Sequence, residues 1–507
     1  MNKYTKYIFH PFLFALYPVL FLFAYNVDQV VIRDITLPLL LAIALASILF
    51  GIAWLVTRDY QKAGFIATLG IILFFSYGHV FELQAGAEWT RPRYLLSVWA
   101  FLFLGGSYAI IRFVKESARF TRILNGIALL LVIMVLVPIG VSRTNEFSTR
   151  SFSNIQKESS VPVTHQETLP DIYYIILDAY ASEEVLQGEF GYDNSDFVNF
   201  LTEKGFFVVP NSHSNYSLSK YSLPSSLNME YLDQLSAQLG FASLEDLNLR
   251  EAVENNRVQR FLREQGYKFI HFGTMWQTTS ANRFADENIG VEYYASEFML
   301  ALYEKTALYP IDKKFNHFDR RIKYRYILSH FDSVADVASR PEPTFVFAHF
   351  LMPHSPYVFA ADGAFVPNES LGFEEEKEGY LNQLIFLNTK VRPLVERILS
   401  ESSSPPIIIL QGDHGSRLER QEGISEESPS FAWFAEERLG NLNAYYLPEK
   451  IARGMLYDTI TPVNTFRIIF NVYFGQEHEL LPDKQFLSWG GEWGGDKFME
   501  VTSLLKP

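Results

Sequence analysis

The sequence predicts a two-part chain: a membrane region of five helices, then an α/β domain built on a mainly parallel sheet. Three observations predict it. Apolar residues are 48% of the 507, and the excess sits in the first 142. Beyond residue 170, short β-branched and aromatic runs alternate with helical stretches. Several of those runs end directly in Asp or His.

The first part holds five apolar runs, at roughly 8–25, 35–56, 63–81, 94–111 and 123–141. Each is about long enough to cross ~30 Å of hydrocarbon as a helix. Five such runs with almost no internal charge leave too little polar surface for a soluble domain. A cleaved signal peptide is excluded because four more runs follow the first. Lys3, Lys6, Arg58, Lys62, Arg112, Lys115, Arg119 and Arg122 fall on one side of these spans, and Arg33, Arg91 and Arg93 on the other. That asymmetry predicts a cytoplasmic N-terminus. With an odd number of spans, everything after the fifth is expected outside, in a multi-pass protein of the cell (inner) membrane.

Charge divides the chain at the same place. Residues 1–142 carry 11 Lys and Arg against 6 Asp and Glu, a balance of +5. The whole chain is −14, so the remainder is −19. So acidic an outer part argues against nucleic acid as a partner. An anionic substrate would need a local cation there. The chain has no Cys, which excludes disulfides and thiolate chemistry.

Residues 143–170 are polar and read as a linker. The runs "DIYYIILDAY", "GFFVVP", "GYKFIHFG", "PTFVFAHFLMPHSPY" and "PPIIILQGDHG" then read as five strands. "DNSDFVNFLTEKG", with Asn194 or Ser195 as cap and Gly205 as stop, and "GYLNQLIFLNTKVRPLVERILSES" read as helices. Continuous apolar strands between helices mean a parallel sheet covered on both faces. Such sheets bind ligands beyond the carboxyl ends of their strands. Asp178, His349, His354, Asp413 and His414 all lie at or just past such ends.

Asp413 and His414 stand between Gly412 and Gly415, which permit a tight backbone that aims two adjacent side chains into one space. With Asp178 they make two carboxylates and one imidazole, a set suited to a divalent cation. A nucleophile is expected from "NSHSNYSLSKYSLPSSLNMEYL", which places Ser212, Ser214, Ser217, Ser219, Ser222, Ser225 and Ser226 ahead of a helix-like run. A hydroxyl at a helix N-terminus beside a metal loses its proton more readily.

These residues, in this order, carry a resemblance. The strand-end acid of "PDIYYIILDAY", the hydroxyl segment, "GYKFIHFGTMW", "HFLMPHSPY" and "LQGDHG" resemble the alkaline phosphatase/sulfatase superfamily. More narrowly, the chain looks like its membrane-anchored branch of lipoteichoic acid synthases (phosphoglycerol transferases) and phosphoethanolamine transferases. The resemblance spans about 170 to 415, and "TPVNTFRIIFNVYFG" at 461–475 looks like the end of the same domain. It implies one divalent metal ion held by Asp178, Ser219, Asp413 and His414, with Mn, Mg, Zn and Ca all open. It puts Ser219 at the position of a catalytic threonine, with Ser217 the alternative. It makes His354 a catalytic and substrate-binding group, and it places His349 and Trp276 at the substrate. Pro224 would break a helix interior, and it is tolerated if the helix starts with Ser222 as cap. The sulfatases proper are excluded. Their Cys/Ser-x-Pro-x-Arg motif is absent, "SLPSS" lacks the Arg, and Met275 and Gln277 stand where many have Lys-x-His.

The expected organisation is a transmembrane region over 1–142, a linker over 143–170, an alkaline phosphatase-like catalytic domain over 171–475 and a C-terminal extension over 476–507. The expected function is metal-dependent transfer or hydrolysis of phosphate esters through a covalent serine intermediate. The partners would be a membrane lipid or lipid-linked phosphate donor and an envelope glycan acceptor. Two alternatives stand beside it: a phosphodiesterase or phosphatase of the same fold, and a non-catalytic envelope binding protein.

Overall fold

The computed structural model describes residues 7–27, 30, 32–82, 92–115, 117–148, 169–239, 247–290, 296–315, 318–367, 372–418, 426–448, 453–489 and 497–505. The chain forms two compact units, Met1–Thr149 with Tyr294–Asp319, and Arg150–Tyr293 with Arg320–Pro507.

The first unit contains α1 (His10–Tyr25), α2 (Ile32–Thr57), α3 (Tyr60–Glu82), α4 (Pro92–Phe113) and α5 (Ser117–Ser148), one on each expected apolar run. Four of them, α2 to α5, are long and apolar enough to cross a membrane. The other, α1, has only 16 residues, short of the ~20 of a full span. Leu40, Phe101, Leu104 and Met134 lie exposed on these helices, as lipid-facing side chains do. The free N–H groups at the start of α1 are met from α5: Asn125 Oδ1 accepts from Phe9 N at 3.3 Å and His10 N at 3.0 Å. Helix α5 runs on through residue 148, so the start of the expected linker is helical. Residues 149–168, and Lys3, Lys6 and Arg91 of the charge count, lie outside the described residues.

This unit also includes residues from within the stretch expected to be the catalytic domain. Ser296 caps the helix Glu297–Glu304 by accepting from Met299 N. Phe298 of that helix is buried in an apolar cluster with Ala15, Val19 and Phe75. Two backbone bonds to α3 hold the residues just beyond this helix: Gly78 N to Lys305 O and Ala307 N to Phe74 O, both 3.0 Å.

The second unit is built on a seven-stranded sheet, ordered β2 (Phe207–Val208), β7 (Asn443–Tyr446), β6 (Ile407–Gln411), β1 (Ile172–Leu177), β5 (Thr344–Phe350), β3 (Lys268–Phe272), β4 (Glu287–Ile289). The pairs β6–β1–β5–β3–β4 are parallel, and β7 is antiparallel to both β6 and β2. All six residues of β1 are fully buried. Tyr173, Ile175 and Leu177 enter one core and Ile172, Tyr174 and Ile176 the other, the two-residue period of a strand covered on both faces. Each buried Ile or Leu contributes about 1.5–3 kcal/mol, which favours β1 at the centre of the sheet over an edge position.

The long helix Phe373–Glu401 covers the first face through Tyr380, Leu384, Leu387 and Val391. Ser219–Asn228, Arg257–Glu264 and Pro462–Phe474 cover the second. The sequence reading misses β4, β7 and the hairpin of β8 (Phe486–Trp489) with β9 (Lys497–Glu500). That hairpin, in the expected C-terminal extension, packs into the unit. Phe486 N donates to Asn215 O at 2.9 Å, and its ring stacks on Tyr216.

Candidate functional site

Parallel pairing puts the carboxyl ends of the three central strands on one edge. Ile176 of β1 pairs with His349 of β5 and with Gln411 of β6. Asp178 therefore emerges beside His349 and beside the turn that carries Asp413 and His414. Both glycines of that turn are required by space. A side chain on Gly412 would run into the Tyr180 carbonyl, and one on Gly415 into the Glu437 carbonyl. Ala179, next to Asp178, takes the left-handed conformation at φ 65°. Its N–H donates to Asp413 Oδ1 at 3.0 Å, so the bend ties the two acidic turns together.

Asp413 Oδ1 also accepts from His414 N at 3.1 Å, which leaves Oδ2 buried and without a hydrogen bond. Asp178 Oδ1 and His349 Nε2 are likewise buried and unbonded. His414 Nδ1 donates to Gly415 O at 2.8 Å, so Nε2 carries the lone pair that faces the site. That nitrogen lies 3.5 Å from Asp178 Oδ1 and 3.8 Å from Asp413 Oδ2, and His349 Nε2 lies 3.5 Å from Asp178 Oδ2. Buried polar atoms without partners are costly. Here they point at one another, two carboxylates and imidazole nitrogens, as the donor set of a divalent cation does. Among the described residues, two triads close enough to share an ion are Asp178, His354, His414 and Asp178, His349, Asp413.

The surroundings tune these groups. Burial works to raise the Asp178 carboxyl, but His354, His349 and His414 outweigh it and hold it well below the usual carboxylate range. Desolvation lowers the His354 imidazole, with Asp178 pulling the other way. His354 Nδ1 donates to Ser355 O at 2.7 Å and leaves Nε2 available. The loop that carries it is fixed from three sides: His354 N donates to Asp178 O, Gln383 Nε2 to Pro353 O and His354 O, and Lys323 Nζ to His354 O. Burial pushes the Lys323 ammonium down to about 7.

The serines separate by partner. Ser212 bonds Asn441, Ser214 its own segment, Ser217 Ser488, Ser225 Glu230 and Ser226 Ser222. Ser219 Oγ lies 3.3 Å from His414 Nε2. The helix starts at Ser219, three residues before Ser222, the cap position that would accommodate Pro224. Tyr221 N and Ser222 N already bond Leu218 O, and the chain runs through Pro224 with the loss of that residue's own N–H. Trp276 packs edge-to-face on His349, ring centres 5.8 Å apart, so it buttresses that imidazole.

All seven residues expected from the sequence stand at this edge or against it. Lys323 and Gln383 were not foreseen. Lys323 sits in a helix among other basic residues and Gln383 in a mostly apolar helical run, and neither setting gives a sign of the loop it reaches.

No family model matches the sequence, and no curated protein matches it. Among solved structures, the chain is similar to the C-terminal periplasmic domain of EcEptC from Escherichia coli, at 12% identity over 67% of this chain and 94% of that one, TM-score 0.43. It is similar to the integral membrane lipooligosaccharide phosphoethanolamine transferase A from Neisseria meningitidis, at 11% identity over 92% of this chain and 95% of that one, TM-score 0.41. It is also similar to a putative sulfatase from Bacteroides fragilis, at 12% identity over 64% and 83%, TM-score 0.37. Across these matches the chain is similar to phosphoethanolamine transferases and sulfatases.

Proposed function

We propose that this chain is a membrane-anchored, metal-dependent enzyme that transfers or hydrolyses a phosphate ester borne by a lipid or an envelope glycan. One observation carries the reading. Unbonded carboxylate and imidazole atoms of Asp178, Asp413 and His349 converge with His414 Nε2 on one spot, and the Ser219 hydroxyl, at a helix N-terminus, lies 3.3 Å from that nitrogen. Asp178, Asp413 and His414, with Ser219 Oγ, would hold one divalent cation, which when bound supplies Lewis acidity to the hydroxyl and the phosphoryl oxygens.

The protein's own groups do the rest. The Ser219 hydroxyl gives up its proton and Oγ forms the bond to phosphorus as the ester bond breaks, the departing alkoxide taking up a proton to leave as an alcohol. The helix N-terminus favours negative charge developing there. His354 holds a phosphoryl oxygen in the first step. In the second, its free Nε2 accepts the proton of the attacking hydroxyl, from a sugar or from water, as the bond between phosphorus and Ser219 Oγ breaks and Oγ regains a proton. Trp276 and Thr279 keep the His349 ring in place, Thr279 through Oγ1 at 3.1 Å from Nδ1. The apolar helices give the enzyme residence in the bilayer, where a lipid-linked donor is found.

The test is phospho-enzyme trapping with a labelled phospholipid or a chromogenic phosphodiester. Ser219→Ala should form no phospho-enzyme and lose several orders of magnitude in rate, on the order of 4–8 kcal/mol in barrier. Ser217→Ala and Ser222→Ala should stay near wild type. If Ser219→Ala retains more than ~10% of wild-type activity, a loss under about 1.4 kcal/mol, the assignment is wrong.

A further inference from the structure

Lys323, in the helix Phe318–Ala335, is buried at 5% exposure. Among the described residues its ammonium has one polar partner, the His354 carbonyl at 2.9 Å. No carboxylate there lies within ion-pair distance of it. An ammonium carries three donors and a full charge, and burying it without a counter-ion is unfavourable. Holding the His354 loop does not explain the charge, because Gln383 Nε2 already donates to the same carbonyl at 3.0 Å. The carboxylate whose field Lys323 feels is Asp178, inside the site.

The charge balance of the site gives the ammonium a task. A divalent cation held by Asp178 and Asp413 is neutralised by them. A phosphoryl group arriving there brings negative charge to a site with no net positive charge left. The loop of residues 273–279, on the same sheet edge, carries no basic side chain. We infer that Lys323 is the charge-selecting residue of the site, a buried amine behind His354 whose protonated form favours a phosphoryl anion over a neutral group. This rests on the proposed function. Lys323 acts through the field and the His354 loop, so it is a positioning residue.

The experiment compares wild type, Lys323→Gln and Lys323→Arg as full-length chains in detergent, each metal-loaded and checked for folding and metal content. The reading is the affinity for inorganic phosphate by calorimetry. Glutamine keeps a donor for the His354 carbonyl and removes the charge, whereas arginine keeps the charge. The expected result is phosphate binding weakened about tenfold or more in Lys323→Gln, and held within about threefold in Lys323→Arg, with metal content equal in all. If Lys323→Gln does not fold, Lys323→Met takes its place with the same expectation. Equal affinity in wild type and the neutral variant overturns the inference and leaves the proposed function standing. Equal loss in the arginine variant also overturns it, since that would make Lys323 a steric prop. A wild type that holds metal and binds no phosphate overturns the proposed function and this inference together.

Discussion

Ser219 differs from Ser212, Ser214, Ser217, Ser225 and Ser226 in what its hydroxyl faces, an imidazole nitrogen of the site in place of a backbone, amide or hydroxyl partner. Asp178, Asp413 and His414 are legible in the sequence, because each follows a buried apolar strand that can end only at the sheet edge. The choice among the serines is not legible, because spacing alone does not show which one starts the helix. Lys323 is hidden for a related reason: "RRIKYR", residues 320–325, reads as a solvated face. Asp171 provides a test of burial at this scale. Burial raises its carboxyl, while Oδ1 accepts from Thr344 N at 2.8 Å and Thr344 Oγ1 at 2.9 Å. A raised folded value means that stability is lost as pH climbs from the ordinary ~3.9 through it. Asp171→Asn removes that penalty and keeps both accepted bonds. It should melt at or above wild type at pH 7, with the advantage gone near pH 4. Asp171→Ala, which strands the Thr344 donors, should cost about 1–3 kcal/mol at either pH. Thermal melts at the two pH values check both.

At the scale of elements, long uniform runs were readable and short mixed ones were not. Strands β1, β5 and β6 are mostly apolar stretches, and within Phe373–Glu401 the apolar period runs from Tyr380 to Ile398. By contrast β4 is three residues, Glu-Asn-Ile, and β7 begins with Asn443, so neither shows a strand pattern. Their places come from neighbours already in the sheet. The segment 296–315 is the largest departure in organisation. Its composition resembles the soluble helices around it, and its attachment to α3 is made by backbone atoms that sequence does not display. Gly78 permits that attachment, because a side chain there would occupy the space of the Lys305 backbone. Gly78→Val should therefore release the segment. The expected result is faster limited proteolysis within 296–315, with α3 still helical by circular dichroism. Unchanged protection would mean that the two bonds to α3 are incidental.

At the scale of the whole molecule, the chain joins an apolar helical unit to an acidic α/β unit, and the division by charge was readable from the start. Four helices have the length and apolar character of spans, and α1 is the shorter fifth. The eight-to-three asymmetry of basic residues predicts which side the α/β unit occupies. A phosphatase reporter fused after Pro507 should be active only outside the cytoplasm. Activity on the cytoplasmic side would show that α1 does not span.

In the proposed reading, Asp178, Asp413 and His414 hold one divalent cation at the carboxyl edge of the sheet. The most direct measurement is elemental analysis of the purified full-length chain, wild type beside Asp413→Ala, each confirmed folded by thermal melting. Close to one equivalent of a divalent metal is expected in wild type and a loss of most of it in Asp413→Ala, since Oδ2 is one of the unbonded atoms that face the site. Equal stoichiometry in the two proteins, or a folded wild type that takes up no divalent metal, would contradict it.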